Sequence, residues 1–440
     1  MNERRLTAPG LGARRALFAL LVVGTTGAAS LMMATVVGAA GITALEIATL
    51  ALFVPTFGWI TVSFWNAAIG FALGVLRLDP ITLRRVPPSG PRSATAPPIR
   101  SRTALVMPAH NESPELVTAG LRAVAESLEA TGEAERFDLH LLSDTTDDAL
   151  ARAEESAWRA LRASAPRPHR MHYRRRPANA GRKAGNISEF CARCAGEYDF
   201  VVVLDADSVM SGETLVELVR TMEANPGAGL LQTVPIPARQ RTLFGRFVQF
   251  AAALYSPMLA AGQSFWQGDA ANYWGHNAIV RLEPFAEHAR LPELPGRPPL
   301  GGPVLSHDFV EAALLRRAGY GVWLLAGLGG SWEHVPGNVV DFAGRDRRWA
   351  QGSIQHLRLL RLPGLHQLSG LHFLLGAMGY LSSALWLLRL LGSTAYVLLP
   401  AAPGMTGAGV AGPVAIAAAL RGLLPLLGGT AVIRFLPKLL

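Results

Sequence analysis

Between Arg15 and Arg77 the only charged residue is Glu46. A soluble fold needs charged or polar faces to meet water, whereas about 20 apolar residues suffice for one helix to cross a bilayer. The block therefore reads as two membrane helices, near Ala16–Ala39 and Leu45–Leu76, within an N-terminal membrane region of residues 1–76. A cleaved leader is the alternative for the first stretch, because Gly24–Gly38 is rich in small residues. The apolar run is too long for a leader, and a second run follows at once. Glu46 falls near a helix end, where its carboxylate can reach the interface.

A second apolar block, residues 368–440, carries Arg389, Arg421, Arg434 and Lys438 but no acid. It predicts two further spans, near Leu371–Leu399 and Val410–Leu436, separated by Pro400, Pro403 and Gly404. Orientation follows from the basic flanks. Arg4, Arg5, Arg14 and Arg15 precede the first helix, and Arg77, Arg84, Arg85, Arg92, Arg100 and Arg102 follow the second. Basic flanks stay on the cytoplasmic side, so the large middle region is expected there, with short external turns near Gly41 and Gly404.

The net charge of +9 is mostly this orientation signal, since no interleaved basic-aromatic patch points to nucleic acid. With 50% hydrophobic and only 17% charged residues the chain is no disordered polymer, charged residues being about 25% of an average soluble protein. Its 2 cysteines, Cys191 and Cys194, cannot staple it as a disulfide scaffold or complete a four-ligand zinc site, and they read as small packing residues. Among 41 basic residues the only lysines are Lys183 and Lys438. A compact ammonium in an arginine-saturated chain marks Lys183 for attention.

Residues 77–101 read as a linker, with Val86–Pro98 rich in Pro, Ser and Gly. From residue 102 to 337, short apolar runs alternate with amphipathic ones. Strands are predicted at Thr103–Met107, Phe137–Leu142, Arg170–Tyr173, Phe200–Leu204 and Gly229–Val234. Helices are predicted between them at Pro114–Ala130, Asp147–Ala163, Arg182–Cys194 and Gly212–Ala224. That alternation implies an α/β, Rossmann-like domain with a mostly parallel sheet, inserted between transmembrane helices. Ligands of such sheets sit beyond the carboxyl ends of the strands. Phe247–Gln267 is free of charge, yet Gln249, Ser256, Pro257, Gln263 and Ser264 interrupt it. A crossing there would also place the acids before and after it on opposite sides of the membrane. It reads as a buried or membrane-skimming helix.

Chemistry concentrates at the predicted strand exits. Val201–Leu204 runs into Asp205-Ala206-Asp207, two carboxylates that can share a divalent cation such as Mg²⁺ or Mn²⁺ with substrate phosphates. Asp144 stands beyond another strand and can accept hydrogen bonds from a base or ribose; capping the next helix is the plainer role. Met107–Glu112 brings Glu112 to the same edge. Asn179–Asn186 is a glycine-bearing basic turn at a helix start, where Lys183 and backbone N–H groups suit an anionic phosphate. Ser306-His307-Asp308-Phe309 opens a later helix, and Arg345–Gly352 lies in another. His276 and His307 flank these segments as candidate substrate contacts.

The order Asp144, then Asp205-Ala206-Asp207, then Asp308, then Arg348-Trp349 ahead of a membrane helix resembles the family-2, membrane-integrated processive glycosyltransferases. Cellulose and hyaluronan synthases belong to that group. The likeness covers Thr103–Leu360. Leu142–Thr145, Tyr173–Arg176, Asn179–Asn186, Asn272–Asn277 and Ser306–Ala312 are similar to the branch that builds the backbone of osmoregulated periplasmic glucans. The resemblance implies a glycosyltransferase A-type fold in the bacterial inner membrane, multi-pass, with the catalytic domain cytoplasmic. It implies UDP-glucose as donor, a growing β-glucan as acceptor, inversion at the anomeric carbon and a β-1,2 product. The lipid bilayer and a periplasmic glucan-processing protein would be its partners.

By the same resemblance Asp144 would bind the uridine of the donor, and Asp207 and Asp205 would hold the metal and its diphosphate; Lys183 and Glu112, at the same sheet edge, join them as donor-binding candidates. Asp308 would be the catalytic base. Trp349, Arg348, Trp274 and His276 would contact the acceptor. Residues 338–367 would form interfacial helices carrying Arg348-Trp349. Cellulose synthases have Gln-x-x-Arg-Trp, but Arg345 takes the Gln position here. Members of the glucan branch are also longer, with more membrane helices, so a chain ending at Leu440 is expected to be a shortened form or a fragment. The rival readings are a sibling synthase of another β-glycan or glycolipid, and a non-catalytic sugar-nucleotide sensor. The sensor would need a broken acid set, and the acids are all present. Loops or motifs for an ATPase, a zinc protease or a serine hydrolase are missing from the sequence.

Overall fold

The computed structural model describes residues 10–38, 44–84 and 98–398. The turns expected near Gly41 and Gly404, the basic residues Arg4, Arg5, Arg85 and Arg92, most of the Val86–Pro98 linker and the Val410–Leu436 span lie outside them. Three helices among the described residues are long and apolar enough to cross a membrane. They are α1 (Leu11–Val37), α2 (Ala44–Val75) and, at the end of the described chain, α11 (Gln367–Leu398). Each lies within a turn or so of the span expected from the sequence.

Between them, α3 to α6 and the strands beside them follow the predicted alternation: β1 (Thr103–Ala109), α3 (Pro114–Glu129), β2 (Phe137–Ser143), α4 (Asp148–Ser164), β3 (Met171–Arg175), α5 (Arg182–Arg193), β4 (Phe200–Val203), α6 (Gly212–Ala224) and β6 (Ala228–Thr233). Local chemistry sets the helix starts. Ser113 caps α3 through Leu116 N and Pro114 takes the first helical position. Asp147 caps α4 through Leu150 N.

The main sheet has 7 strands in the order β3-β2-β1-β4-β8-β6-β9, with β8 at Ala278–Arg281 and β9 at Gly321–Leu325. Strand β8 runs antiparallel to both neighbours; the other pairings are parallel. The sheet is therefore α/β and mostly parallel, as expected. Strands β8 and β9 have no counterpart among the predicted ones, because each is short and needs its neighbours to be recognisable. A second sheet orders β5 (Val209–Met210), β10 (Ser331–Glu333) and β7 (Ile236–Pro237) across the mouth of the first. The chain runs from β1 outward to β3, then returns to β4 on the other side of β1. That reversal opens a crevice at the carboxyl ends of β1 and β4.

Val201, Val202 and Val203 are fully buried, packed from both faces. Each such side chain contributes about 1.5–3 kcal/mol relative to exposure, which fixes the strand that delivers Asp205. The described flanks of the linker are docked: Leu83 and Ile99 join the buried core, and Glu223 accepts from Arg100 N and Ser101 N at 2.8 Å.

Helix α7 (Leu243–Gln267) extends one turn before the expected Phe247 and lies along α2. It is not among the helices apolar enough to cross. Gly70 and Gly262 let the two backbones touch. A Cβ on Gly262 would come within 1.9 Å of Asn66 O, and one on Gly70 within 1.8 Å of Met258 O. Trp266 Nε1 donates to Asn66 Oδ1 at 2.9 Å, and the Trp266 ring stacks on Phe18 at 4.7 Å. Leu243, Phe250 and Leu254 stay exposed on α7. Helix α11 also packs on α2, with Arg389 buried over Phe53 and Trp386, 4.8 Å from each ring centroid.

The α2–α7 contact yields a prediction. Gly262→Leu must push the backbones of α2 and α7 apart, and overpacking costs about 1–3 kcal/mol or more. Thermal unfolding of the detergent-purified chain should fall by several degrees, while Gly12→Leu on the open face of α1 should leave it unchanged.

Candidate active site

The crevice is built from the ends of β1, β2 and β4. Asp144 follows β2, and its backbone N donates to Ala109 O at 2.8 Å, tying it to the end of β1. Both of its carboxylate oxygens accept from Arg176, from Nε and Nη2 at 2.7 Å each. Arg176 also donates to Ala180 O and Arg182 O, so one buried fork stitches the strand end to the Asn179–Asn186 turn. Such a bidentate charge-assisted pair fixes orientation. Asp144 is thus a buried, paired carboxylate, 4% exposed, and the helix after it is capped by Asp147 and not by Asp144.

The turn itself has Gly181 in the left-handed region at φ 68°, and a Cβ on Gly185 would strike Ala180 O at 2.2 Å. This packing delivers Lys183 into the crevice. Its ammonium pairs with Asp205 and donates to Gly275 O at 2.7 Å. Gly275, held at φ 86° where a side chain is strained, adjoins Asp308: a Cβ there would be in ordinary contact, 3.6 Å from Asp308 Oδ2. Lys183, Asp205, Gly275 and Asp308, separate in the sequence, therefore surround one space.

The acids there are not equivalent. Burial pushes the Asp205 carboxyl up, but Lys183 and then His276 outweigh it and hold it below the usual range. Asp207 lacks a direct ammonium partner, and His276 and a backbone hydrogen bond offset its environment only in part. Burial, then repulsion from Asp205, push it up to about 6. Burial and Asp205 raise Glu112 on the rim in the same way. An acid not anticipated from the sequence, Glu333 at the end of β10, joins the group. Burial raises it, with His276 and Arg345 opposing. His276 lies 3.4 Å from Glu333 Oε2 and 3.3 Å from Ser208 Oγ, just past Asp207. Trp274 is half-buried, its N donating to Gln232 Oε1 at 2.8 Å.

This donor set fits a hard divalent cation. Asp207 is a carboxylate made uncomfortable by its neighbours, Asp205 stands two residues away, and added positive charge relieves both. Among the described residues no three His, Cys, Asp or Glu side chains form a protein-only cage. Cations that complete their shell with phosphate oxygens and water need none.

Helix α10 (Val339–Gln355) brings up the aromatic face of the site. Arg345 sits 4.5 Å from the Trp349 ring centroid and 5.4 Å from Phe342, facing Glu333 and Asp207. Burial lowers its pKa. The position that differs from cellulose synthases thus carries a cation shared between the acid cluster and the Trp349 platform. Trp349 is 50% exposed and Arg348 points to solvent. Helix α10 is docked on the residue before Asp308's helix, α9 (His307–Arg317). His356 Nε2 lies 2.7 Å from Ser306 O, and a Cβ on Gly352 would meet Ser306 Oγ at 2.2 Å. On α9, His307 Nδ1 donates to Glu311 Oε2 at 2.9 Å. Burial pulls the His307 ring down, but Glu311 and Asp308 outweigh it and raise its pKa. Cys191 is buried and Cys194 half-buried, both free, on the helix that faces the sheet.

The raised Asp207 sets a pH dependence. Cation binding needs the carboxylate, so Mn²⁺ affinity should be nearly constant above pH 7 and fall about tenfold per pH unit below about 6. Electron paramagnetic resonance titration of Mn²⁺ measures this, and a flat profile from pH 5 to 8 would contradict the assignment.

Two overlapping family models match the chain: glycosyl transferase family 2 over residues 104–289, and glycosyl transferase family group 2 over residues 200–402. A protein of Xanthomonas euvesicatoria pv. vesicatoria named glucans biosynthesis glucosyltransferase H is 44% identical over 393 residues, 89% of this chain and 60% of that protein. A protein of the same name from Bradyrhizobium diazoefficiens is 47% identical over 361 residues, 82% of this chain and 47% of that one. The chain thus spans about half to three fifths of the length of these relatives. The fold is shared with a mannosyltransferase of Pyrobaculum calidifontis, solved in complex with GDP-Man and Mn²⁺, at TM-score 0.57 and 18% identity over 89% of this chain and 96% of that one. With family models reaching from residue 104 to residue 402, and relatives of one name alike over most of its length, the chain belongs to glycosyltransferase family 2.

Proposed function

We propose that this chain is a membrane-embedded inverting glucosyltransferase that uses UDP-glucose to extend a β-glucan of the osmoregulated periplasmic type, with β-1,2 linkages. The convergence of Lys183, Asp205, Gly275 and Asp308 on one space carries the reading, because it sets a phosphate-binding cation beside an acid able to take a proton. The names of the relatives support the product and the bacterial inner membrane, the three apolar helices support a multi-pass protein, and the arginines flanking the first two spans support a cytoplasmic catalytic domain.

The donor's uridine lies along Asp144 and Glu112, and its diphosphate meets Lys183 at the start of α5. Asp207 and Asp205 would hold Mg²⁺ or Mn²⁺, which when bound would supply Lewis-acid neutralisation of the charge on the departing UDP. Asp308 accepts the proton of the attacking acceptor hydroxyl as general base. The oxygen so freed forms the bond to the anomeric carbon from the face opposite UDP, and that single displacement inverts the centre. Trp349, steadied by Arg345, offers a stacking face for the acceptor sugar, with Arg348, Trp274 and His276 on its approach. The growing glucan and the bilayer are the partners of the chain; a periplasmic glucan-processing protein would receive the product.

Two near-isosteric variants separate binding from chemistry. Asp207→Asn is expected to lose Mg²⁺-dependent UDP binding together with transfer. Asp308→Asn is expected to keep UDP affinity and lose about 10²–10⁴-fold in turnover. As a mere first-turn acid of α9, behind the N-cap Ser306, Asp308 would tolerate Asn at the cost of a small helix-dipole contribution. An active Asp308→Asn enzyme in a radioactive UDP-glucose transfer assay would place the base elsewhere, and linkage analysis of the product tests the β-1,2 assignment.

Topology has its own test. Protease added to intact spheroplasts should leave the region around Asp205 uncut until the cells are lysed; cleavage there before lysis would sink the cytoplasmic placement.

A further inference from the structure

Glu311 is a buried carboxylate, 4% exposed, on a helix of the catalytic domain. Its hydrogen-bonding side-chain partner among the described residues is His307, one turn earlier, at 2.9 Å. As a helix staple the pair is poorly placed. Histidine stands in the first turn and the carboxylate toward the C-terminus, the reverse of the order the helix dipole favours. A surface pair would also avoid the cost of burying a carboxylate, which a single partner does not fully offset. The pair's location gives it another use. His307 precedes Asp308 directly and lies within electrostatic reach of Lys183 and Asp205. Glu311 occupies Nδ1, which leaves Nε2 as the free position of a ring whose side chain keeps 13% exposure.

We infer that His307 is a substrate-contacting residue: Glu311 fixes its imidazole through Nδ1, and Nε2 hydrogen-bonds a hydroxyl of the transferred hexose, between Lys183 and Asp308. The inference rests on the proposed use of the cleft for a nucleotide-sugar, and deepens it by assigning recognition of the sugar ring. Glu311 is then a positioning residue. Neighbouring groups agree with a rigid, dry support: Cys191 and Tyr273 face Glu311 from α5 and from the loop before β8, both fully buried. A ring held on one side by a buried carboxylate discriminates hydroxyl positions better than a freely rotating one, because a mismatch leaves Nε2 unpaired.

Calorimetry on the full chain in detergent with Mn²⁺ tests this, with UDP, UDP-glucose and the set of UDP-deoxyglucoses as probes. The unaltered chain is expected to bind UDP-glucose more tightly than UDP. His307→Ala should leave UDP affinity within twofold and weaken UDP-glucose about tenfold, the range of one hydrogen bond to a charged or polarised group. One deoxy analogue should bind the unaltered chain and His307→Ala alike, identifying the hydroxyl. Glu311→Gln, whose amide oxygen still accepts from Nδ1, should lose less than Glu311→Leu. His307→Gln, close in size, guards against a simple folding defect. Equal losses for UDP and UDP-glucose, no loss at all, or a deoxy series in which no analogue erases the difference would overturn the assignment. A chain that binds UDP-glucose through His307 but transfers nothing would instead overturn the glucosyltransferase reading alone.

Discussion

Asp205 and Asp207 follow a fully buried strand with unequal compensation: Lys183 pairs with Asp205, while burial and repulsion from Asp205 outweigh what His276 offers Asp207. Crowded carboxylates at a dry strand end cannot all ionise without positive charge from elsewhere. The crevice supplies it unevenly. Lys183 serves Asp205, Arg176 serves Asp144, and His276 and Arg345 face Glu333. Asp207 shares His276 and Arg345 with Glu333 and is repelled by Asp205, so its carboxyl stays raised, an imbalance that added positive charge would relieve. Much of the surrounding architecture works to hold these charges at fixed spacing: the glycines of the Asn179–Asn186 turn, the left-handed Gly275, and β10 pairing beside β5.

The long apolar helices are tied into the same frame. Arg15, at the start of α1, donates to Gln267 O at 2.8 Å and pairs with Asp269 at 2.7 Å, while Arg316 of α9 meets the other oxygen of Asp269 at 3.2 Å. His372 of α11 lies 2.9 Å from Ala270 O. One short segment, Asp269–Ala270, thus touches two membrane helices and the helix that carries Asp308, and leads directly into Trp274, Gly275 and His276. The site and the apolar helices consequently share one set of polar contacts.

Sequence patterning located the apolar helices within a turn, because hydrophobicity along a span is a local property. It also located the helices flanking β1 to β6, whose caps and periodicity are local too. It failed at β8 and β9, short strands defined only by pairing. The Asp205-Ala206-Asp207 motif, Asp144, Lys183 and Asp308 were recognisable by residue type and position after strands or at helix starts. Glu333 was not, since an acid after Gly-Gly-Ser-Trp carries no signal until β10 is laid against Val209 and Met210. Arg345 was noticed only as a departure from a relative's pattern.

What the sequence determined by itself was therefore the membrane blocks, the alternating α/β middle and the inventory of acids, since each depends on neighbours along the chain. Tertiary structure alone decided which charges meet. Asp144 is spent on Arg176, Lys183 is shared between Asp205 and Gly275 O, and His307 is turned by Glu311. Those outcomes hang on distances of a few ångströms between residues far apart in sequence, and Coulomb energy in a partly dry cleft changes steeply over such distances.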